Sequence, residues 1–79
     1  MEIGHTYYFL DKNDTDNAIY RGVFTGEIHN VDGKYVVVLG DVARLDGKSY
    51  YYGLYQAWET ECFKTVKELA EYIKSKENV

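Results

Sequence analysis

Two Asp-Gly-Lys triplets, at residues 32–34 and 46–48, constrain the fold of this 79-residue chain more than any other feature. Asp-Gly between apolar runs favours a type I′ turn, because both central residues of that turn need positive φ. The triplets therefore predict three consecutive antiparallel strands joined by two-residue turns. Another strand is expected before them, and residues 59–63 can add a short fifth. The four main strands are predicted at about residues 5–10, 18–30, 35–45 and 49–58.

The end of the chain changes from a strand period to a helical period. Its apolar residues recur at i, i+3, i+4 and i+7, as Val66, Leu69, Ala70 and Ile73. Thr65 and Glu68 form a capping box that starts a helix. A helix this short is not stable alone, so its apolar stripe must dock on the sheet. The expected fold is α+β, one domain over residues 1–79. It is a small, strongly bent antiparallel β-meander of four or five strands, half-barrel-like, with one C-terminal helix packed on it.

Charge and cysteine content restrict the classes of function. The net charge is -4 and the basic residues are scattered, which weighs against binding nucleic acid by neutralising phosphates. Cys62 is the only cysteine, so an internal disulfide cannot form, and this fits a reducing compartment. The N-terminus lacks an apolar leader, and no stretch approaches the roughly 18 apolar residues of a membrane span. We therefore expect a cytoplasmic protein that does not enter a membrane.

Residues 50–58 concentrate aromatic side chains in one predicted strand. These side chains are Tyr50, Tyr51, Tyr52, Tyr55 and Trp58. Because side chains alternate along a strand, the rings should lie on both faces of the sheet. If both turns are two-residue loops, the register follows, and Leu39 faces Leu54. This register assigns one face to the core, with Tyr20, Ile28, Tyr35, Val37, Leu39, Leu45, Leu54 and Trp58.

The opposite face of the predicted sheet is also apolar, although a solvated face normally alternates to polar residues. Its members include Val23, Val36, Val38, Val42, Tyr51 and Tyr55. One interpretation is an exposed patch that contacts a partner or a second copy of the chain. The other is that the sheet curls and both sets of side chains fill one core. The poor match of Phe24 with Asp41 across the predicted pairing also indicates a bulge near Gly40.

Patterns that would indicate catalysis or metal binding are weak. Cys62 has acidic neighbours, which raise the pKa of a thiol, and neither His5 nor His29 lies in a nucleophile motif. The acidic loop at residues 11–17 lacks the glycine and glutamate that a calcium-binding EF-hand loop requires. There is no phosphate-binding glycine loop and no Cys/His cluster with metal spacing. We expect no enzymatic activity, no cofactor and no metal.

The leading hypothesis is a non-enzymatic protein-binding module or inhibitor that acts through a tyrosine-rich sheet face and acidic loops. It would block a basic site on a nucleic-acid-handling protein, as small inhibitors from mobile elements do. The candidate contact residues are Tyr51, Tyr55, Val36, Val38, Val23, Asp11, Asp14, Asp16, Glu59 and Glu61. Clustering of these five carboxylates on one surface would favour the hypothesis, and even scatter would count against it. The alternatives are a small barrel that stacks single-stranded nucleic acid on Tyr51 and Tyr55, and a structural homodimer through the free sheet face.

Overall fold

The structure of the protein, a computed structural model, describes residues 1–11, 18–50 and 53–77. Four strands form one antiparallel sheet in the order β1-β2-β3-β4, which is a meander. The elements are β1 (Thr6–Leu10), β2 (Ile19–Val31), β3 (Lys34–Arg44), β4 (Tyr55–Trp58), a 3-10 turn (Glu59–Glu61) and helix α1 (Val66–Glu77). The α+β meander with a C-terminal helix is confirmed. The sheet is not closed or strongly curled, so the expected half-barrel is not what forms.

The first Asp-Gly pair makes the turn that the sequence predicts. Asp32 and Gly33 have φ of 53° and 83°, which is the type I′ conformation for a two-residue loop. From this turn, β2 and β3 pair in the predicted register as far as Ile28. Beyond Ile28 the strand β2 bulges, and Phe24 lies opposite Leu39 and not opposite Asp41 as the two-residue turn predicts.

The second Asp-Gly pair makes a longer loop than predicted. Gly47 has φ of 77°, and its N–H donates to the Arg44 carbonyl at 2.9 Å. The Arg44 N–H in turn donates to the Ser49 carbonyl at 2.9 Å, so four residues separate the paired positions. The register at this end is nevertheless the predicted one, because Ala43 still bridges Tyr50.

The pairing of β4 differs from the prediction by one residue. Leu39 lies opposite Tyr55, whereas the two-residue turn placed it opposite Leu54. Four residues separate Tyr50 from Tyr55, but only three separate Ala43 from Leu39. The register therefore slips by one residue between the Ala43–Tyr50 bridge and the Leu39–Tyr55 pair. A slip of one residue moves every side chain to the other face of the sheet. Tyr55 therefore shares a face with Leu39, and its predicted place beside Val38 was wrong.

A bulge in β3 lies where the sequence predicts one, next to Gly40. Asp41 has φ of 50°, and the pairing of β3 with β2 shifts at this point. The bulge brings Val42 and Leu39 together over Gly22 of β2. A Cβ placed on Gly22 would lie 3.0 Å from Leu39 Cβ and 3.0 Å from Val42 Cγ2. The glycine is therefore required here for close packing, not for its backbone freedom.

The main core occupies one face of the sheet. Its buried members are Tyr7, Phe9, Tyr20, Phe24, Val37, Leu39 and Val42. Val38 points to the other face and is only 2% exposed, so the middle of β3 is buried on both sides. Of the two interpretations of this face, the exposed patch is therefore wrong at Val38 and Val42. The predicted core face was also wrong at four exposed positions, Ile28, Tyr35, Leu45 and Leu54.

After β4 the chain returns to β1 without forming the short fifth strand considered for residues 59–63. The 3-10 turn comes first, and Phe63 then exchanges two backbone hydrogen bonds with Tyr8, of 2.8 and 2.9 Å. This single bridge lies on the edge of β1 that does not pair with β2. It connects the region after β4 to the first strand of the sheet.

Helix α1 starts with the cap that the sequence predicts, and it docks through only part of its predicted stripe. Thr65 Oγ1 accepts a hydrogen bond from the backbone N–H of Glu68 at 3.1 Å. Leu69 is buried, and the Tyr72 ring packs 5.0 Å from another aromatic ring, that of Phe63. Two members of the predicted apolar stripe, Val66 and Ala70, are exposed. Tyr72 therefore makes part of the docking contact that we expected from Val66 and Ala70.

Candidate functional site

Tyr55 is the centre of the region where most of the described contact residues meet. Its ring stacks on Phe9 of β1, with centroids 4.9 Å apart and planes inclined by 28°. Its hydroxyl donates a hydrogen bond to Asp11 Oδ1 at 3.1 Å. These two contacts tie β4 to the end of β1, although the two strands are not neighbours in the sheet. Tyr55 is thus half-buried, with its ring packed on Phe9 and its hydroxyl held by the hydrogen bond to Asp11.

The surroundings of Tyr55 are electrostatically negative. Burial raises the pKa of the Tyr55 hydroxyl above its ordinary value, and the charge and hydrogen bond of Asp11 raise it further, with a smaller contribution from Glu61. All these influences disfavour the phenolate. Tyr55 therefore acts as a hydrogen-bond donor in this site.

The 3-10 turn supplies two more carboxylates, Glu59 and Glu61, and ends next to Cys62. Burial raises the pKa of the Cys62 thiol to about 12, and the charges of Glu61 and Glu59 contribute to the increase. The thiol lies 3.4 Å from the Trp58 carbonyl, to which it donates. Because a protonated thiol is a poor nucleophile, Cys62 is suited to packing against the core.

The two histidines form their own contacts at exposed positions. His5 Nε2 lies 3.0 Å from a carboxylate oxygen of Glu2, and His29 Nε2 lies 2.7 Å from one of Glu27. Each imidazole is thus oriented by a neighbouring residue of its own segment. Neither of these two contacts includes Cys62.

A cavity of about 230 Å³ lies along β4, all of whose residues line it. Phe9, Tyr55, Trp58 and Glu61 are among its lining residues. The slipped register pairs Trp58 with Val36, which also lines the cavity. The site therefore combines aromatic surface with negative charge.

A cation already lies near one of the cavity's rings. The Nζ of Lys34 is 5.9 Å from the centroid of the Trp58 ring. This distance is at the limit for an attractive cation–π contact, in which tryptophan is the strongest aromatic partner. The Trp58 ring thus already has a cation of the chain itself beside it.

The structure brings together only some of the predicted contact residues. Tyr55, Asp11 and Glu61 meet as described, with Glu59 in the same 3-10 turn and Val36 on the cavity wall. Val23 is half-buried in β2, where it pairs with Thr6 and Gly40, and Val38 is buried on the face of β3 opposite the main core. Tyr51, Asp14 and Asp16 lie outside the described residues.

Sequence reasoning missed Phe9 and Trp58 as members of this site. Phe9 lies in a largely aromatic segment with no motif to distinguish it, and Trp58 had been assigned to the core face. The signal that could have identified Trp58 is its position directly before the acidic segment Glu59–Glu61. An aromatic residue next to two carboxylates is typical of a surface that attracts cations.

Within residues 1–11, 18–50 and 53–77, no group of three or more His, Cys, Asp or Glu side chains is placed to hold a metal ion. In the same part of the chain, no helix is long and apolar enough to cross a membrane. Compared with known protein families, curated proteins and solved structures, the chain has no match.

Proposed function

We propose that this protein is a small, non-enzymatic protein-binding module that uses the acidic surface around Tyr55 to occupy a basic site on another protein. The observation that supports this most is the meeting of Tyr55 with Asp11 and Glu61 beside an open, aromatic cavity. Of the five carboxylates that we expected to cluster, Asp11 and Glu61 both act on Tyr55, and this supports the proposal.

The physical argument combines charge with aromatic surface. A net charge of -4 steers the chain towards positively charged partners, and complementary charge sets the choice of partner and the rate of encounter. Tyrosine and tryptophan are enriched at protein interfaces, because each supplies a large apolar surface and a polar tip. A half-buried Tyr55, held by Phe9 and Asp11, contributes this surface at little cost in side-chain entropy.

A basic site on a nucleic-acid-handling protein is the partner surface that fits these features. Such sites are rich in Lys and Arg because they neutralise phosphates, and they attract carboxylates for the same reason. A small acidic module that covers the site excludes the nucleic acid. The proposed role is therefore that of an inhibitor of the type that mobile elements use.

The test reverses charge at the proposed surface and compares it with the same reversal elsewhere. The site variant is Glu59→Lys/Glu61→Lys, and its matched control is Glu2→Lys/Glu71→Lys, at exposed positions that do not line the cavity. Both variants change the net charge equally. Affinity capture with quantitative mass spectrometry should give a partner that is retained by the wild type and the control but lost by the site variant.

The captured partner should then bind nucleic acid, and the wild-type protein should displace that nucleic acid in a gel-shift assay. Equal loss of the partner with both variants would mean that only overall charge matters. Equal retention with both would mean that the surface around Tyr55 is not the contact. Either result contradicts the proposal.

A further inference from the structure

The outer edge of β4 is an open strand edge. Within the residues that the structure describes, β4 is the last strand of the sheet and pairs with β3 alone. The opposite edge of the sheet differs, because Phe63 exchanges two backbone hydrogen bonds with Tyr8 of β1. The sequence of β4 contains neither proline nor a charged residue, which are common protections of an exposed edge. An extended chain can therefore approach β4 from outside the sheet.

The hydrogen bonds of β2 determine which way the backbone groups of β3 point. The N–H of Phe24 donates to the His5 carbonyl, and the Phe24 carbonyl accepts from the Gly4 N–H, so both groups point away from β3. Leu39 lies opposite Phe24, and its own N–H and C=O therefore point towards β4. There Leu39 pairs with Tyr55.

The backbone groups of β4 follow from this pair by alternation. Ala57 bonds to β3 in the same way as Tyr55, whereas Gln56 and Trp58 direct their N–H and C=O groups outward. The Trp58 carbonyl is already used, because it accepts a hydrogen bond from the Cys62 thiol at 3.4 Å. The open edge thus presents the N–H and C=O of Gln56 and the N–H of Trp58.

The cavity of about 230 Å³ lies at this same edge. All the residues of β4 line it, although Tyr55 and Trp58 lie on opposite faces of the strand. A space that is bordered by both faces of one strand lies at the edge of that strand, and β3 occupies the other edge of β4. Leu10 of β1 and Val36 of β3 line the cavity further out. There is therefore room beside the outward groups of β4.

Charge indicates what kind of chain fits this edge. The strand itself is uncharged, but Glu59 follows it directly and the whole protein has a net charge of -4. An extended segment with uncharged residues in its middle and basic residues at its ends is complementary to such an edge. A second copy of the chain is less suitable, because it brings the same net negative charge.

We propose that a partner protein adds an extended segment of this kind to the open edge of β4 as a further strand. Its backbone pairs with Gln56 and Trp58, and its side chains alternate between the two faces of the sheet. This rests on the proposed function and specifies how the partner is held, which is through the main chain of an extended segment.

Amide hydrogen exchange, followed residue by residue in two-dimensional NMR, reports directly on this edge. The probe is a blocked Lys-Thr-Val-Thr-Val-Lys peptide. In the free protein, the amides of Gln56 and Trp58 should exchange fast and those of Tyr55 and Ala57 slowly. Saturating peptide should slow the exchange of Gln56 and Trp58 by about tenfold or more, because both amides gain a backbone acceptor. Unchanged exchange at both amides would overturn the proposal.

Two altered peptides test the backbone pairing and the charge separately. N-methylation of all the backbone amides removes the donors of the peptide and should abolish binding. Replacing both lysines with glutamates keeps the backbone but reverses the charge, and it should weaken binding by about tenfold. Undiminished binding of the methylated peptide would refute the backbone pairing. Equal binding of the lysine and glutamate peptides would refute the basic character assigned to the segment.

A matched pair of variants at one position locates the contact. Gln56→Pro removes the outward N–H without removing a hydrogen bond to β3, and proline is tolerated on edge strands. This variant should lose peptide binding, whereas Gln56→Ala, which keeps the N–H, should retain it. Circular dichroism verifies that both variants fold, and the methylated peptide decides the question if Gln56→Pro does not. Equal peptide affinities of the two folded variants would overturn the proposal.

The capture experiment tests the proposed function separately. If capture depends on Glu59 and Glu61 but the peptide does not protect the edge amides, only the strand addition is refuted. If the peptide protects these amides but no partner is captured, only the proposed function is refuted.

Discussion

Replacing Tyr55 with Phe tests whether the hydrogen bond to Asp11 stabilises the site. The substitution keeps the ring, and therefore the stacking on Phe9, but removes the donor of the 3.1 Å bond. A hydrogen bond to a charged group contributes about 1.5 to 3 kcal/mol to stability when it is protected from water. Because Tyr55 is only half-buried, we expect Tyr55→Phe to lower the free energy of unfolding by about 1 to 2 kcal/mol. Each 1 kcal/mol corresponds to a decrease in Tm of roughly 4 to 8 °C for a domain of this size.

The chain contains a matched control, because Tyr50 makes the same kind of bond in an exposed setting. Its hydroxyl donates to Asp41 Oδ1 at 3.2 Å, between residues of one hairpin. Tyr50→Phe should change the stability by less than about 0.5 kcal/mol, as is usual for exposed substitutions. Urea unfolding followed by circular dichroism measures both variants.

A double-mutant cycle between Tyr55→Phe and Asp11→Asn isolates the bond from other effects of each substitution. Residues in direct contact have coupling energies of about 0.5 to 3 kcal/mol, and we expect about 1 kcal/mol for this pair. Equal destabilisation by Tyr55→Phe and Tyr50→Phe would refute the reasoning. Additive effects of Tyr55→Phe and Asp11→Asn would refute it as well, since the bond would then contribute nothing.

Two further predictions concern the core and the thiol. Gly22→Ala should destabilise the fold by about 1 to 3 kcal/mol, because the new Cβ meets the Cβ of buried Leu39, which cannot rotate away. Gly40→Ala, whose Cβ would have no neighbour closer than 3.7 Å, should change stability by less than about 1 kcal/mol in the same denaturation assay. Similar losses of stability for both glycine substitutions would contradict the packing argument. For Cys62, the raised folded-state pKa means that its contribution to stability is complete below about pH 9 and is lost as the pH rises towards about 12. Alkylation of the native protein by iodoacetamide should therefore remain slow at pH 9, and a rate profile with the midpoint of a free thiol would show that the site does not protect it.

The elements that could be predicted from sequence are those that depend on local chemistry. Asp32-Gly33 forms a type I′ turn because its two residues tolerate positive φ, and it fixes the register of the strands beside it. Thr65 caps α1 because its hydroxyl reaches a backbone N–H three residues later. Each of these features is determined within a few residues of sequence.

The register of β4 could not be predicted, because it is set by a one-residue slip between Tyr50 and Tyr55 and not by the Asp-Gly pair. Asp46-Gly47 resembles the first turn in sequence but lies in a four-residue loop. One additional residue between this loop and β4 then moves Tyr55 to the face of Leu39. For the same reason, the candidate site could be predicted only in part. Tyr55 and the carboxylates could be named from sequence, but their contact with Phe9 follows only from the slipped pairing.

The backbone bridge between Tyr8 and Phe63 has a consequence for the order in which the fold assembles. It joins residues near opposite ends of the chain, whereas β2 and β3 are joined by a two-residue turn. Closing a long loop costs more chain entropy than closing a short one. The β2–β3 hairpin should therefore form early, and the bridge should form late and be among the first contacts to open in native-state fluctuations. Because the cavity along β4 also depends on Phe9 of β1, it should take its final shape only in the last step of folding.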